Sequence, residues 1–403
     1  MTAPVFNPFD PAFRANPYPY YDALRSNDPV HTTAFGMVVL TRYEDVSTTL
    51  KSADFSRDIE KYSTQASSEA RQARRDRQES RTKSILNLDP PDHTRLRRIV
   101  SKSFTPSAME RLRPRIQQLV DKVLDHAQDA GHIELIDDLA FPVPFQVISD
   151  LLDMPTDRSV ELREWSQIIT NSLEPTATDE DLLRSEDAIA QLVPYLTTII
   201  EHRRKHLSDD MLSSLITAEE SGEQMTTEEL MAFVVLLYIA GHETTVNLIG
   251  NGTLALLNNP EQQAIVHNNG LAQSHIDELL RFDGPVQHTV RVPLVPVHYM
   301  VDNEQITVQP GTMVLTSLGG ANHDPSMFEN PNDLQLNRSN SNRHMAFASG
   351  IHYCLGASLA KLETEIAVGS LIKRFAQIEI VGTPSWRDRL TIRGVNQLRL
   401  SVS

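Results

Sequence analysis

Along residues 92–282 apolar side chains recur every three or four positions, as in 109–127, 160–172 and 187–202, a period that predicts helices. Beyond Pro285 the period changes. VRVPLVPVHYMV (290–301) and ITVQPGTMVL (306–315) alternate β-branched residues with turn formers, and TIRGVNQLRLSV (391–402) and GMVVLTRYEDV (36–46) also read as strands. An amphipathic helix is predicted to begin just after Cys354. The pattern as a whole predicts a mainly α protein with a smaller, separate β region. Helix dominates about 92–282 and 355–376, and strands about 30–45, 286–316 and 377–403. No internal repeat and no Gly/Ser linker divides residues 1–403, which read as one cooperative unit.

The longest predicted helix has clear ends. Thr226 and Glu229 supply an S/T-x-x-E capping box, and Asn258, Asn259 and Pro260 stop the pattern. That gives about 32 residues, or roughly 48 Å at 1.5 Å per residue. Its middle is apolar on every side, so it must run through the core. The longest apolar run, 230–240, falls short of the roughly 20 residues of a membrane span. With Pro4, Pro8 and Pro11 breaking the start of the chain, no export signal is read, and a cytoplasmic protein without membrane attachment is expected.

AGHETT, residues 240–245, lies in the middle of this helix. Gly241 costs about 1 kcal/mol relative to alanine in a helix interior, and is useful where something approaches the backbone. Thr244 can bond back to the carbonyl of Ala240 and open a groove. Glu243 brings a carboxylate into apolar surroundings, which is expensive without a partner. Two readings stay open on pattern alone: a functional acid and alcohol, or a wet helix face with a packing glycine.

Composition narrows the class. A chain 40% apolar and 22% charged suits a folded enzyme, and a single cysteine forms no intrachain disulfide, as in a reducing compartment. Net charge of −16 argues against a nucleic-acid partner. The charge is uneven: residues 1–115 hold 19 Lys+Arg against 14 Asp+Glu, leaving 18 against 39 for the rest, so a local basic docking site is expected. Residues 67–84, with Arg71, Arg74, Arg75, Arg77, Arg81 and Lys83, read either as a solvated segment or as a flexible cover over a pocket.

Cys354 stands in FASGIHYCLGASLA (347–360), bracketed by Gly350 and Gly356 at the predicted start of a helix. Unpaired N–H groups there stabilise a thiolate and lower its pKa. His352 and Cys354 alone are too few for zinc, and no spacing signal marks the base that a cysteine nucleophile needs. Phe347, Gly350, His352, Cys354, Gly356, Leu359 and Ala360 resemble the cysteine loop of cytochromes P-450, F-x-x-G-x-H-x-C-x-G-x-x-L-A.

The resemblance covers roughly residues 5–400. It implies the cytochrome P-450 fold, with the long central helix crossing haem b (iron protoporphyrin IX) and Cys354 as axial ligand of the iron. AGHETT looks like the family's oxygen-activating stretch, which makes Glu243 and Thr244 the catalytic acid and alcohol and sets Ala240 and Gly241 against the haem. Glu278 and Arg281 match the family's E-x-x-R pair, and Arg338 should close a buried ion triad with them. LDPPDHTRLRR (88–98) resembles the haem-clamping segment. His93 and Arg97 are then propionate ligands, with Arg291 and His352 as partners; without the cysteine loop, the same pair would read as an exposed basic helix. Ser84 to Leu86 (with Ile85), Leu236, Ile239, Ala240, Val286 to Val290, Thr391 and Ile392 should line the substrate pocket, His288 and Thr289 being its polar anchors, and the region 141–207 should cover it. Three departures stand out: Ala348 where a second glycine is frequent, His323 in place of the arginine of ANRDP, and Lys361 where arginine is common.

The activity implied by the resemblance is that of a haem monooxygenase, inserting one atom of O2 into a hydrophobic small molecule. Electrons would come indirectly from NAD(P)H through a ferredoxin or flavodoxin and its reductase, because no nicotinamide or flavin fingerprint is present. Arg95, Arg98 and Lys102, with Lys361, would form the basic face that receives an acidic carrier, and a monomer is expected. Two alternatives remain: a peroxide-driven peroxygenase or decarboxylase, and a non-catalytic haem-binding protein of the same fold.

Overall fold

The capping box at the head of the long helix forms: Thr226 Oγ1 accepts the Glu229 N–H at 3.2 Å, and Glu229 Oε2 accepts the Thr226 N–H at 2.8 Å. The helix then runs unbroken over Thr227–Leu257. By length and apolarity it could cross a membrane. Here it is wrapped by protein: helices Pro142–Leu151, Ser159–Asn171, Asp179–Lys205, Gln273–Asp283 and Ala357–Arg374 all pack on it. Apolar residues on every face are the sequence record of that surrounding. The computed structural model describes residues 6–62, 82–155, 158–172, 174, 177–220 and 225–403. The basic stretch 67–84 lies, over 67–81, outside the described residues.

The strands form a side structure rather than a second body of comparable size. Five of them, β1 (Val30–Thr32), β2 (Val38–Leu40), β3 (Phe55–Ser56), β5 (His288–Pro293) and β8 (Val314–Ser317), make one sheet in the order β1-β2-β8-β5-β3. Only β2 and β8 are parallel; Thr289 faces Thr316 and Arg291 faces Val314 across β5 and β8. Between them, β6 (Val297–Val301) and β7 (Glu304–Val308) form a hairpin. Its turn places Asp302 and Asn303 at φ 50° and 69°, the left-handed pair of a type I′ turn.

Two parts of the expected pattern are corrected. Residues 43–45, read as the end of a strand, begin the helix Tyr43–Lys51, whose first turn carries Glu44 and Asp45 as a helix start favours. Inside the helix-rich half, His132–Glu134 is a strand, β4, which pairs with β12 (Arg399–Val402), Glu134 opposite Arg399. The β region therefore draws on all parts of the chain.

From Asn322 to Gly356 the chain has little regular structure, yet it must hold the cysteine still. A buried ion cluster does this. Glu278, Arg281 and Arg338 are respectively 0%, 1% and 8% exposed. Arg281 donates to both carboxylate oxygens of Glu278 at 2.7 and 2.8 Å, and Arg338 Nε to both at 3.1 Å. The remaining guanidinium donors reach the carbonyls of Asn322, Glu329, Asn330, Pro331 and Asp333, and the Gln335 N–H returns to Glu278. His323, the departure from ANRDP, stacks on Tyr18 at 4.0 Å and donates through Nε2 to the Phe282 carbonyl. Burial, with Arg281 nearby, pushes its pKa down to about 4.

Removing one member of such a cluster leaves uncompensated buried charge, at a cost of about 3–5 kcal/mol. Glu278→Ala is expected to lower the guanidinium unfolding midpoint by the corresponding amount, whereas Glu110→Ala, on an exposed pair with Arg113, is expected to change it little.

Candidate active site

The cysteine loop is shaped by backbone geometry before side-chain chemistry enters. Gly350 has φ 73°, and a Cβ there would collide with the Leu50 carbonyl oxygen, so only glycine fits. A Cβ at Gly356, two residues after the cysteine, would meet no protein atom within 4 Å, so the space there is open. The Cys354 N–H donates to the Phe347 carbonyl at 3.0 Å, closing the loop, and helix Ala357–Arg374 starts immediately after its cap Gly356. Cys354 is partly covered. Burial raises its thiol pKa above the ordinary value, while the Gly356 N–H and the Arg97 charge pull it down. The lowering expected from the helix start is thus present but outweighed by desolvation.

Leu236, Ala240 and Thr244 lie four residues apart on one face of the central helix, and Ala240 is exposed halfway along this mostly buried helix, which marks a cleft beside it. Thr244 Oγ1 donates to the Ala240 carbonyl at 3.1 Å. Gly241 does not face the cleft: a Cβ there would come 2.8 Å from Ile148 Cδ1, so this glycine admits helix Pro142–Leu151 rather than a cofactor. Glu243 is 1% exposed and ion-paired with Arg387 and, at 2.7 Å, with Arg389, which disposes of the wet-face reading. Burial alone would raise its pKa, but the two arginines hold it below the usual carboxylate range. Neither arginine was singled out from the sequence, because they stand 144 and 146 residues from Glu243 with no motif around them.

At one edge of the cleft cations gather. His93 and Arg97 share a face of helix Asp92–Ser101, His352 packs 4.2 Å from His93 ring to ring, and Arg291 lies on β5. Arg57, which follows β3, joins them because β3 pairs with β5; sequence reasoning missed it, having no local signal for that pairing. Burial and Arg57 push the Arg291 pKa down to about 9, and burial takes Arg57 to about 10. Burial, His93, Arg291 and Arg57 together push His352 down to about 3. The nearby carboxylate, Asp89, is engaged by Ser56, the Arg57 N–H and Lys61. Arg97 donates to the Tyr353 carbonyl at 2.7 Å, tying the clamp helix to the cysteine loop.

Of the expected pocket residues, Thr289 faces the same side as Arg291, which donates to its hydroxyl at 3.3 Å. Val286 forms a bridge with Ile392, which places both beside Thr391. Ile85 is buried in the main core. His288 is corrected: it is 1% exposed on the opposite face of β5, bonded to the Tyr21 hydroxyl at 3.2 Å and edge-on to Phe6, with its pKa pushed down to about 3 by burial. Val290 packs on the same cluster and also turns away. Period two along a strand accounts for both.

The basic face is weaker than a count of cations suggests. Arg95 is paired with Glu229 at 2.5 Å and Asp92 at 3.7 Å, and Lys361 with Asp277 at 2.5 Å. Arg98 and Lys102 stand at the surface. A groove of about 460 Å³ on this side is lined by Arg97, Tyr353, Cys354, Leu355 and Lys361, among others.

Comparison with known proteins gives the class first: relatives of this chain are monooxygenases and hydroxylases, and the chain is an oxidoreductase of that kind. It belongs to the cytochrome P450 family, whose model matches residues 30–386. It is 38% identical over 403 residues to cytochrome P450 107B1 of Saccharopolyspora erythraea, covering 97% of this chain and 96% of that one. A vitamin D(3) 25-hydroxylase of Pseudonocardia autotrophica is 36% identical, with 98% and 96% covered. The structure of P450BioI in complex with hexadec-9Z-enoic acid ligated acyl carrier protein matches at a TM-score of 0.88 and 32% identity, over 97% of this chain and 100% of that one.

The family implies haem iron, and the residues fit it. A buried cluster of cations whose nearby carboxylate is already engaged, with His93 Nδ1 lacking a partner among the described residues, suits the two carboxylates of a porphyrin. The open space beside Gly356 and the exposed Ala240 face suit its flat apolar body.

Ala348 stands where the family often has glycine, and it adopts φ 57°. A non-glycine residue there costs about 1–2 kcal/mol. Ala348→Gly is therefore expected to raise the melting temperature slightly and Gly350→Ala to lower it, both read by thermal unfolding.

Proposed function

We propose that this chain is a cytoplasmic, monomeric haem-thiolate monooxygenase that inserts one oxygen atom of O2 into a hydrophobic small molecule. Its electrons would come from NAD(P)H through a ferredoxin or flavodoxin and its reductase. The observation that carries the reading is the pair on the central helix: the Thr244 hydroxyl at the cleft, and next to it the Glu243 carboxylate buried against two arginines. An acid and an alcohol in sequence are what proton delivery into a closed apolar site requires.

When bound, the haem supplies the iron at which dioxygen is reduced and one oxygen atom is passed to the substrate. Cys354 would ligate the iron through its sulfur, and Phe347, Gly350 and Gly356 fix the loop that presents it. Arg97 and Arg291, joined by Arg57, would neutralise the propionates, and His93 and His352 would donate hydrogen bonds to them. Leu236, Ile239, Ala240, Val286, Thr289, Thr391 and Ile392 would form a mostly apolar wall for the substrate. Thr244 spends its one proton on the Ala240 carbonyl, so its lone pairs face the cleft. To donate a hydrogen bond to dioxygen, the hydroxyl would turn from that carbonyl with its own proton, and a replacement from the Glu243 side would be needed only once that proton is given up.

The reduced protein treated with carbon monoxide is expected to show the red-shifted Soret band of thiolate ligation, lost in Cys354→His; absence of that band in the parent chain would overturn the reading. Thr244→Ala is expected to keep the band while diverting electrons severalfold toward peroxide per NAD(P)H consumed. Arg57→Ala should weaken haem retention, measured by transfer to apomyoglobin, because it removes a propionate partner.

A further inference from the structure

Arg389 has two partners belonging to different parts of the molecule. Its Nη1 donates to Glu243 Oε1 at 2.7 Å, and its Nε donates to Asn171 Oδ1 at 2.8 Å. Asn171 is the last residue of helix Ser159–Asn171, in the region expected to cover the substrate cavity. Close by, the Glu174 carboxylate accepts three successive backbone N–H groups, from Leu390 at 3.0 Å, Thr391 at 2.8 Å and Ile392 at 3.2 Å. A third tie joins the same helix to the residue before Glu243: Ser166 Oγ meets His242 Nε2 at 2.9 Å, while His242 Nδ1 is held on the Tyr238 carbonyl.

We propose that Arg389 is a positioning residue that couples the cover of the cavity to the proton-handling carboxylate of Glu243, so that a shift of helix Ser159–Asn171 loosens the carboxylate. The inference rests on the proton role given to Glu243 above. A carboxylate held by two guanidiniums is a poor proton donor and is not free to rotate. Both arginines grip one oxygen, Oε1, and Oε2 has no partner among the described residues, so losing one grip lets the group turn. The segment that carries the arginines also carries Thr391 and Ile392, the expected cavity wall. A substrate pressing on that wall therefore acts on the segment that Glu174 and Asn171 hold. The step itself is proton movement only: the loosened carboxylate, ionised while both arginines grip it, takes a proton from solvent and passes it to the Thr244 hydroxyl as that hydroxyl gives up its own toward the cleft.

Coupling of this kind is reciprocal, which permits a test without substrate or turnover. Hydrogen exchange is measured on the haem-loaded full chain, on peptides covering 159–171 and 387–393. Arg389→Ala and, from the other end, Glu243→Gln are expected to speed exchange severalfold in 159–171, with Arg389→Lys close to the parent. Asn171→Ala, which removes only the contact on the cover side and serves if Arg389→Ala does not fold, is expected to speed exchange in 387–393. Unchanged exchange in 159–171 for both Arg389→Ala and Glu243→Gln would overturn the coupling, as would unchanged exchange in 387–393 for Asn171→Ala.

A second readout separates this from the proton role. The dithionite-reduced protein is mixed with oxygenated buffer and its reoxidation followed by stopped flow. Arg389→Ala is expected to speed reoxidation severalfold, Arg389→Lys to restore it, and Glu243→Gln in the Arg389→Ala background to cancel the gain. Parent-like reoxidation and peroxide yield in Glu243→Gln alone would sink the proton role; a change there without any in Arg389→Ala would sink only the coupling.

Discussion

The position of the cysteine depends on one buried carboxylate, that of Glu278. Between Asn322 and Gly356 the chain offers few regular elements, and apolar packing is too weakly directional to fix a loop of that length to the accuracy an axial ligand needs. Two guanidiniums are both planar and rich in donors, so once each is oriented by Glu278 its remaining N–H groups dictate where five carbonyls must lie. The loop then hangs from this frame. Asn322 Oδ1 accepts the Met345 N–H at 2.6 Å, and Asp277 holds both His344 and Lys361 on either side of the cysteine. Lys361, the family's more usual arginine position, thus retains a place in the frame with a single-point donor.

Charge is used in two opposite ways within the same cleft. Around Glu243 the protein supplies the counter-charge itself, and the carboxylate stays ionised despite burial. Around Arg291 and Arg57 it supplies little, and both guanidiniums sit below their ordinary pKa because burial is uncompensated. A ligand that brings two carboxylates restores the balance, so cofactor binding and fold stability are linked: whatever binds the native state alone stabilises it. The same logic explains why a chain of net charge −16 spends cations in its interior.

What could be read from the sequence was what acts over one or two helical turns. The capping box at Thr226 and Glu229, the Thr244 bond to Ala240 and the Glu278–Arg281 spacing are all local, and each is found in the structure. The helix just after Cys354 is equally local, since it needs only Gly356 and an amphipathic run. What escaped is long-range. Arg57 reaches the cation cluster only through the pairing of β3 with β5, and β4 exists only because β12, more than 260 residues on, lies beside it. Arg387, Arg389 and Glu174 belong to the same category. His288 failed for a different reason: a strand sends alternate residues to opposite faces, and the sequence did not say which face was the cavity. Gly241 shows the limit of reading a glycine as room for a ligand, since a neighbouring helix uses that room.

The contrast between counted and available charge bears on how an electron carrier would approach. Four cations near the cysteine side look like a docking site for an acidic partner, but Arg95 and Lys361 are neutralised by Glu229 and Asp277 within the protein itself. Charges paired in this way contribute little net field at a distance, and salt screens what remains beyond a Debye length of about 8 Å. Within that length an acidic carrier would meet the field of a net-acidic molecule, which repels rather than steers it. Beside the cysteine, however, Ile351 is 53% and Tyr353 44% exposed, large apolar side chains on a loop held rigidly by the Arg97 bond to Tyr353. Affinity in such an interface comes from a few packed anchors at its centre, with charge at the rim setting orientation. For a carrier that docked on this side, Ile351 and Tyr353 would offer the packed centre of the contact and Arg98 a charge at its rim.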